Sequence, residues 1–592
     1  MAITVEHAHD LDSLQAPVPS SGPSGGRPKR SARWWLPGAS LGAVLGYLVV
    51  IPIVMLVWSS FKPTGMPMES GFTLDHYRDV YGDPATAGLA WNSAVFAGGS
   101  MLVAMVAGVL LAWLTERTDL PGRTAMRFLI IVPMAMPPVL LAIAWVLLLS
   151  PDIGALNTLV ASGLGIDGLF NIYSMPGMIF VQGLSLVPTT YLIVSPAFRN
   201  MDPSLEEAAL TSGVPPWKAF FKVTLPLLSP ALIAAGAFMA ILGFVVFDIP
   251  GVLGLPVDIY VLSSEIFNRA QPPSGLPDYG GISALAVSFL LLLLALSWFY
   301  QRKTKQSQRF VTVTGKAARA RQTSLGKWKV LALTLAWGYL LVAVALPFAV
   351  LLITSLMPYY SGLSSEAFSS LTLANHKALL ADGAIGEAAV NSIVVAIVAA
   401  TAVTTLAALI SWYVVRSPGP LRRTYDMVAF LPLAVPNVMI GLALIYVYLT
   451  IDFLPIYGTV AILAIAYTTT YLSFGTRVTN GVLLQFSKDL EEAAQTSGAR
   501  WSTVFRAITL PMMKPALVGV WVWVAAHALR EMSGALMLQG TNNSVVPTLL
   551  WGYWESGRPT IAAAAGVWLI LAMLILVTVW ALVTTRRKGD FR

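Results

Sequence analysis

Apolar runs of about 20 residues or more recur along this chain from Trp34 to Thr585, the length a helix needs to cross the ~30 Å hydrocarbon core of a bilayer. No other feature restricts the fold as much. Water is absent from that core, so each crossing segment must satisfy its own backbone N–H and C=O groups, and consecutive runs of this length do so as helices. The expected fold class is an all-α polytopic membrane protein. Composition agrees: 56% of residues are hydrophobic and 11% charged, against about a quarter charged in soluble proteins. A net charge of +8 would suggest a nucleic-acid partner in a soluble protein. Here the basic residues cluster in short loops between apolar runs, which is a topology signal, and no nucleic acid is expected. Cysteine is absent, which removes disulfides, thiolate metal sites and a Cys nucleophile from consideration.

Spans are expected near residues 34–58, 90–114, 128–150, 175–197, 229–250 and 283–301, then 329–356, 388–414, 425–450, 457–476, 514–537 and 561–585, about twelve helices in all. Residues 1–33, rich in Pro, Gly and Ser and ending in Arg27, Lys29, Arg30 and Arg33, read as a disordered cytoplasmic tail. The run after them is too long for a signal-peptide core and is expected to stay as the first span. Basic residues fall in alternate loops: Arg117, Arg123 and Arg127; Arg199, Lys218 and Lys222; the linker; Arg416, Arg422, Arg423, Arg477, Lys488, Arg500 and Arg506; and Arg586 to Lys588. The opposite loops carry Asp75, Asp79, Asp83, Asp152, Asp167, Asp258 and Asp278. That asymmetry predicts that both termini, including a tail at 586–592, are cytoplasmic.

The chain also repeats itself. Residues 206–232, EEAALTSGVPPWKAFFKVTLPLLSPAL, return 285 positions later as residues 491–517, EEAAQTSGARWSTVFRAITLPMMKPAL, with no gap and about half the positions identical. Asn92-Ser93, Arg123, Pro133 and Pro137 return as Asn391-Ser392, Arg422, Pro432 and Pro436 at an offset of 299, so the second copy is shorter between the two sets of markers. The external segment 151–174 is visibly longer than its counterpart at 452–458. The expected organisation is a first unit at 34–301, a basic cytoplasmic linker at 302–328 and a second unit at 329–585. Six spans return the chain to its starting side, so the units are expected to be parallel repeats about a pseudo-twofold axis along the membrane normal.

Within the repeated segment, Ser204 with Glu207, and Asp489 with Glu492, have capping-box spacing. Gly213 and Gly498 supply the residue that ends such a helix at positive φ, and a second helix runs on to Pro226 and Pro511. An ordinary amphipathic connector would look similar in one copy, but duplication at matched positions favours a shared task. No G-x-x-x-x-G-K-[ST] phosphate loop exists; the nearest approach, Gly315-Lys316, is followed by Ala317.

With its Glu-Glu-Ala-Ala run, the following Gly and the later Leu-Pro, the chain resembles the membrane-spanning permeases of binding-protein-dependent ABC importers. The resemblance covers nearly everything after the tail, as two permease units fused head to tail. It implies the type I ABC importer permease fold of two six-helix repeats. It also implies that the loops at 201–232 and 487–517 hold coupling helices seated on nucleotide-binding subunits. The implied contacts are Glu206, Glu207, Ala208, Ala209 and Gly213, with Glu491, Glu492, Ala493, Ala494 and Gly498. Two ATPase subunits would bind ATP and magnesium, this chain having no cofactor of its own and not being an enzyme. A periplasmic or lipid-anchored binding protein would deliver substrate at a bacterial inner membrane. The fused form, with its Asn-Ser pairs and proline-rich third spans, looks like ferric-iron permeases; related permeases are associated with phosphonates, sugar phosphates, thiamine or polyamines.

Few ionisable groups lie inside spans. Asp248 near the end of the fifth, and Arg530-Glu531 at nearly the equivalent place in the eleventh, are candidates for the translocation pathway, or else groups satisfied at the membrane interface. The carboxylates would suit a hard cation and the arginine an anion. Pro137 and Pro436, with Pro133, Pro138 and Pro432, are packing kinks or part of a gate. Asn92 and Asn391 read as helix caps. A secondary transporter is the rival from another class, disfavoured by the scarcity of buried titratable groups; a membrane enzyme lacks any cluster of His and carboxylates, the five histidines being scattered.

Overall fold

A computed structural model describes residues 35–166, 168–201, 204–272, 274–309, 323–362, 365–417, 421–450 and 455–589. The N-terminal tail, Asp167, residues 310–322 of the linker and the last three residues lie outside the described residues. Among those described the regular structure is helical, and the one β-type pairing is an isolated parallel bridge between Thr118 and Thr323.

Among the described residues nine helices are long and apolar enough to span, or up to twelve if three sharply bent pairs each count as one. The repeat sorts them. Pro84–Arg117 and Gly383–Arg416 are both 34 residues long. Met175–Asn200 corresponds to Val460–Leu483, whose first residue lies 285 positions later and which is not itself one of the nine. Trp217–Val245 corresponds to Trp501–Leu529. In each of the 34-residue helices the chain starts earlier than the hydrophobic run suggests, because Asp83 and Asp382 accept from the backbone N–H groups of Ala85 and Ala384 and cap it there. Asn92 and Asn391 are therefore not caps. Two turns inside the helix, they donate to the carbonyls of Tyr260 and Ser544, while the adjacent Ser93 and Ser392 accept from the N–H groups of Leu262 and Val546.

Proline sets the irregularities. The helix turns at Gly46–Val50, Phe220–Thr224, Leu341–Ala345 and Phe505–Thr509 are of the wide π type. Each is followed by one residue and then Pro52, Pro226, Pro347 or Pro511. A proline deletes one i→i−4 bond, and the residue before it here bonds five back instead, widening the turn. The third and ninth spans are broken outright. Arg123–Ala135 and Pro138–Leu149 meet at 92°, and Arg422–Ala434 and Asn437–Thr450 at 111°. Neither expected straight span, 128–150 or 425–450, exists as one helix.

The fifth and eleventh spans also end before the hydrophobic runs do. Trp217–Val245 stops, the chain turns, and Asp248–Leu253 begins a second, short helix; Leu529 and Ser533–Leu538 repeat this. The third bent pair, Asp248–Val257 with Leu262–Ala270 at 72°, is not a further crossing. Lys218 and Lys222 mark one end of the helix before it, and Arg302 and Lys303 mark one end of the helix after it. With those basic ends on one side, residues 246–278 start and finish on the other side, so the pair dips in and returns.

The two repeats interlock. The first helix of the chain packs on the second repeat: Leu41, Leu45, Leu48 and Val49 share a core with Trp412, Tyr413, Tyr425 and Leu472. Tyr425 donates to the Gly38 carbonyl at 2.7 Å, Thr469 to the Leu48 carbonyl at 3.1 Å, and the Tyr47 and Tyr448 hydroxyls bond each other. Reciprocally, the helical region Lys329–Leu356 lies against the broken third span, and beyond it Tyr360 donates to the Leu147 carbonyl at 2.5 Å. Within the first repeat the second and fourth spans approach closely through glycine. A Cβ on Gly183 would meet the Val103 side chain at 2.5 Å, and one on Gly108 would meet Thr190 at 2.7 Å.

Candidate functional site: the repeated segments and the axis between repeats

The repeated segment forms a short helix, a tight turn and the start of the next span in both copies: Ser204–Thr211 then Pro216–Ala219, and Asp489–Thr496 then Trp501–Val504. Gly213 and Gly498 have φ of 80° and 86°. Gly213 N–H reaches the Leu210 carbonyl and Val214 N–H the Ala209 carbonyl, both at 3.1 Å, the paired bonds of a Schellman stop. The second copy makes the same two bonds, from Gly498 to Gln495 and from Ala499 to Ala494, at 3.0 Å. The capping box expected at Asp489 and Glu492 does not form. The helix begins at Asp489, whose N–H donates to Ser487 Oγ, one residue outside the position that the box would need.

Glu206 and Glu491, expected on the contact surface, are buried instead. Glu206 accepts from Arg117 at 2.5 Å, with both side chains 3% exposed, and Glu491 accepts from Arg416 at 3.2 Å. Arg117 and Arg416 are the last residues of the two 34-residue helices. Arg416 also donates to the Leu483 and Phe486 carbonyls, and Arg117 to that of Met201. A buried pair of this kind contributes little net energy, but losing one partner strands a charge. Glu206 and Glu491 therefore position the segment on the membrane domain. The faces left outward hold Ala208 and Gly213 in the first copy and Glu492, Ala493 and Gly498 in the second, with Glu207, Ala209 and Ala494 half-buried. Exposed Trp217 and Leu490 lie on these faces too, and no charge-based reading would have picked them.

Asp248 and Ser533 are 285 positions apart, the offset of the repeat, and Ser533 Oγ donates to Asp248 Oδ2 at 3.2 Å. Two residues that occupy equivalent places in the repeats and touch each other must lie at the pseudo-twofold axis. Around them the two dipping segments close the axis with apolar side chains: Ile249, Val252 and Leu253 from one, Ala535, Leu536 and Leu538 from the other, all buried. Phe247 lies against Trp551 with ring centroids 6.1 Å apart, and Gln271 donates to the Leu536 carbonyl at 3.1 Å.

Arg530 and Glu531 diverge. Glu531 stays within its own repeat, accepting from Gly534 N–H and Tyr471 Oη, each at 3.2 Å. Arg530 crosses to the first repeat and donates to the Met134 carbonyl at 2.5 Å. That carbonyl is free because Pro138, four residues on, has no N–H to offer it. The second repeat has Asn437 at the position equivalent to Pro138. Pro137 and Pro436 sit at the two breaks. The polar patch is one-sided: Tyr467, Tyr471, His527, Arg530 and Glu531 correspond at the 285 offset to Gln182, Leu186, Leu242, Val245 and Val246. The described residues contain no group of three or more His, Cys, Asp or Glu side chains able to hold a metal.

Comparison with known proteins places this geometry. The family model described as a binding-protein-dependent transport system inner membrane component matches twice, at residues 104–305 and 392–588. The chain is similar to the ferric transport system permease protein FbpB of Actinobacillus pleuropneumoniae, 26% identical over 558 residues that cover 91% of this chain and 77% of that protein. It is also similar, over single repeats, to the diacetylchitobiose uptake system permease protein NgcG of Streptomyces coelicolor, 27% identical across 43% of this chain and 81% of that one. The sulfate transport system permease protein CysT of Escherichia coli is 29% identical across 46% of this chain and 96% of its own length. With the model matching once in each repeat and covering most of the chain, this protein belongs to the binding-protein-dependent inner membrane component family and is a multi-pass permease of an ABC importer.

Proposed function

We propose that the chain forms the whole membrane pathway of an ATP-driven importer of ferric iron, with both termini cytoplasmic. Two nucleotide-binding subunits would seat on the segments at 201–232 and 487–517, and a binding protein would deliver cargo on the opposite face. ATP and magnesium would be held by the partners. The observation that carries this reading is the duplicated short helix. Each copy is anchored inward by a buried Arg–Glu pair and ends in a left-handed glycine, leaving outward a face on which alanine and glycine sit beside an exposed Trp217 or Leu490. A face held this firmly can transmit a push from an ATPase to the spans, which is a coupling free energy between two sites. The axial closure at Asp248 and Ser533 is what such a push would have to open.

Ferric iron as cargo is supported by a ferric permease relative that covers 91% of this chain. Asp248 and Glu531 are hard oxygen ligands near the axis. Arg530, the group that would favour an anion, is engaged by the Met134 carbonyl. The experiment is reconstitution of the chain with its ATPase and binding protein in proteoliposomes, following radiolabelled ferric citrate and sulfate in parallel. ATP-dependent iron uptake that falls in Asp248→Asn is the expected result. Sulfate uptake without iron uptake would overturn the cargo, and transport without any ATPase would overturn the machinery.

A further inference from the structure

The two coupling segments are matched in sequence, but their anchoring glutamates are not held alike. In the second copy Glu491 Oε1 takes a hydrogen bond from Thr509 Oγ1 at 3.0 Å, within the repeated segment itself. Thr224 is the equivalent residue of the first copy, 285 positions earlier. Its buried hydroxyl has no hydrogen-bond partner among the described residues. Glu206 Oε1 instead accepts from Thr323 Oγ1 at 3.3 Å, and Thr323 belongs to the end of the linker between the two units.

Thr323 is held there by more than its hydroxyl. Its N–H donates to the Arg117 carbonyl at 2.9 Å and its carbonyl accepts from Asp119 N–H at 3.2 Å, which makes the parallel bridge with Thr118. Leu325 N–H then donates to Asp119 Oδ1 at 2.9 Å, and Lys329 Nζ meets Asp119 Oδ2 at 2.8 Å. Arg117 is the residue paired with Glu206. Residues 323–329 thus form a strap laid across the root of the first coupling segment, and Lys329 begins the helix Lys329–Leu340 of the second repeat.

We propose that Thr323 is a positioning residue for the first coupling segment: the linker supplies the hydroxyl that the repeat supplies to the second. This rests on reading the repeated segments as the ATPase contacts. The two contacts are then non-equivalent even for identical ATPase subunits. Movement of the first segment is passed through the strap to the first helix of the second repeat, whereas the second segment has no such tie among the described residues.

Three isosteric substitutions test this in the full chain: Thr323→Val, Thr509→Val and Thr224→Val. The first readout is backbone hydrogen exchange of residues 204–213 and 489–498 in lipid nanodiscs. The expected result is exchange about tenfold faster at 204–213 in T323V only and at 489–498 in T509V only, the scale of one hydrogen bond to a carboxylate, with T224V unchanged at both. The second readout is ATP hydrolysis by the assembled complex with its ATPase partner, which should fall in T323V and return in Thr323→Ser, which keeps the hydroxyl. If T224V loosens 204–213 while T323V does not, the strap has no positioning role and the proposal is overturned. An exchange pattern as expected in a chain that fails to recruit any ATPase would overturn the coupling reading instead.

Discussion

Single residues decide whether the duplicated segments are held. Removing Arg117 leaves Glu206 buried without its cation, and breaking such a pair costs about 3–5 kcal/mol. Arg117→Met should therefore lower the thermal unfolding temperature of the purified protein, and Arg117→Met with Glu206→Leu should recover most of the loss; an R117M protein as stable as wild type would remove the anchor. Gly213 makes a different demand. A Cβ there meets nothing within 4 Å, so the only penalty for a side chain is the φ of 80°. That penalty is about 1–2 kcal/mol for an L-residue. Gly213→Val should insert in the membrane normally yet lower substrate-stimulated ATPase activity of the complex, while Gly213→Asn keeps most of it. Both glycines were legible in the sequence, because a positive-φ stop needs no knowledge of neighbours. The Arg117–Glu206 pair was not, since its partners lie 89 positions apart and nothing local joins them.

Among elements, the strap and the broken spans carry the consequences. Lys329 beside Asp119 holds that carboxyl below its ordinary value. The Asp119 side chain is 27% exposed, so the contribution is small, but its sign is fixed. A depressed folded value means that the strap is stabilised above the usual aspartate pKa of about 3.9, and the stabilisation is lost as pH falls through the lower, folded value. Hydrogen exchange at residues 323–329 should rise on acidification below about pH 4, and the rise should be absent in Asp119→Asn. A flat profile in the native protein would remove Lys329–Asp119 as the strap's second fastening. The broken spans were half legible. Pro133, Pro137 and Pro138 announced an interruption, but a proline is compatible with a shallow kink or a right-angle turn, and the 92° and 111° bends go with packing against the neighbouring elements. The dipping segments themselves were hidden inside hydrophobic runs, because hydropathy does not register a reversal of direction within the membrane.

At the scale of the whole molecule, the repeats make an interlocked pair around one axis, with a one-sided polar patch. The absence of native cysteine makes the closure at the axis directly testable. Asp248→Cys with Ser533→Cys, in a chain carrying an engineered protease site within residues 310–322, should be bridged by a short bifunctional thiol reagent in the resting state. After proteolysis the two fragments should then migrate together. Fragments that separate would mean that the axis is open at rest. The interlocking also predicts that the first unit expressed alone exposes the apolar face that Leu41, Leu45 and Leu48 present to the second repeat.

By itself the sequence determined the solvent and the repeat, and it singled out the duplicated segments. Hydrophobic run length, loop charge and an ungapped duplication are each set by local composition or by comparing the chain with itself. The tertiary structure alone decided that Glu206 and Glu491 turn inward, that Asp248 meets its own repeat-mate Ser533, that Arg530 fills the vacancy left by Pro138, and that the linker supplies Thr323 to Glu206. Each of these joins groups distant along the chain, and their contact follows from how helices pack across an axis, which no run of neighbouring residues encodes.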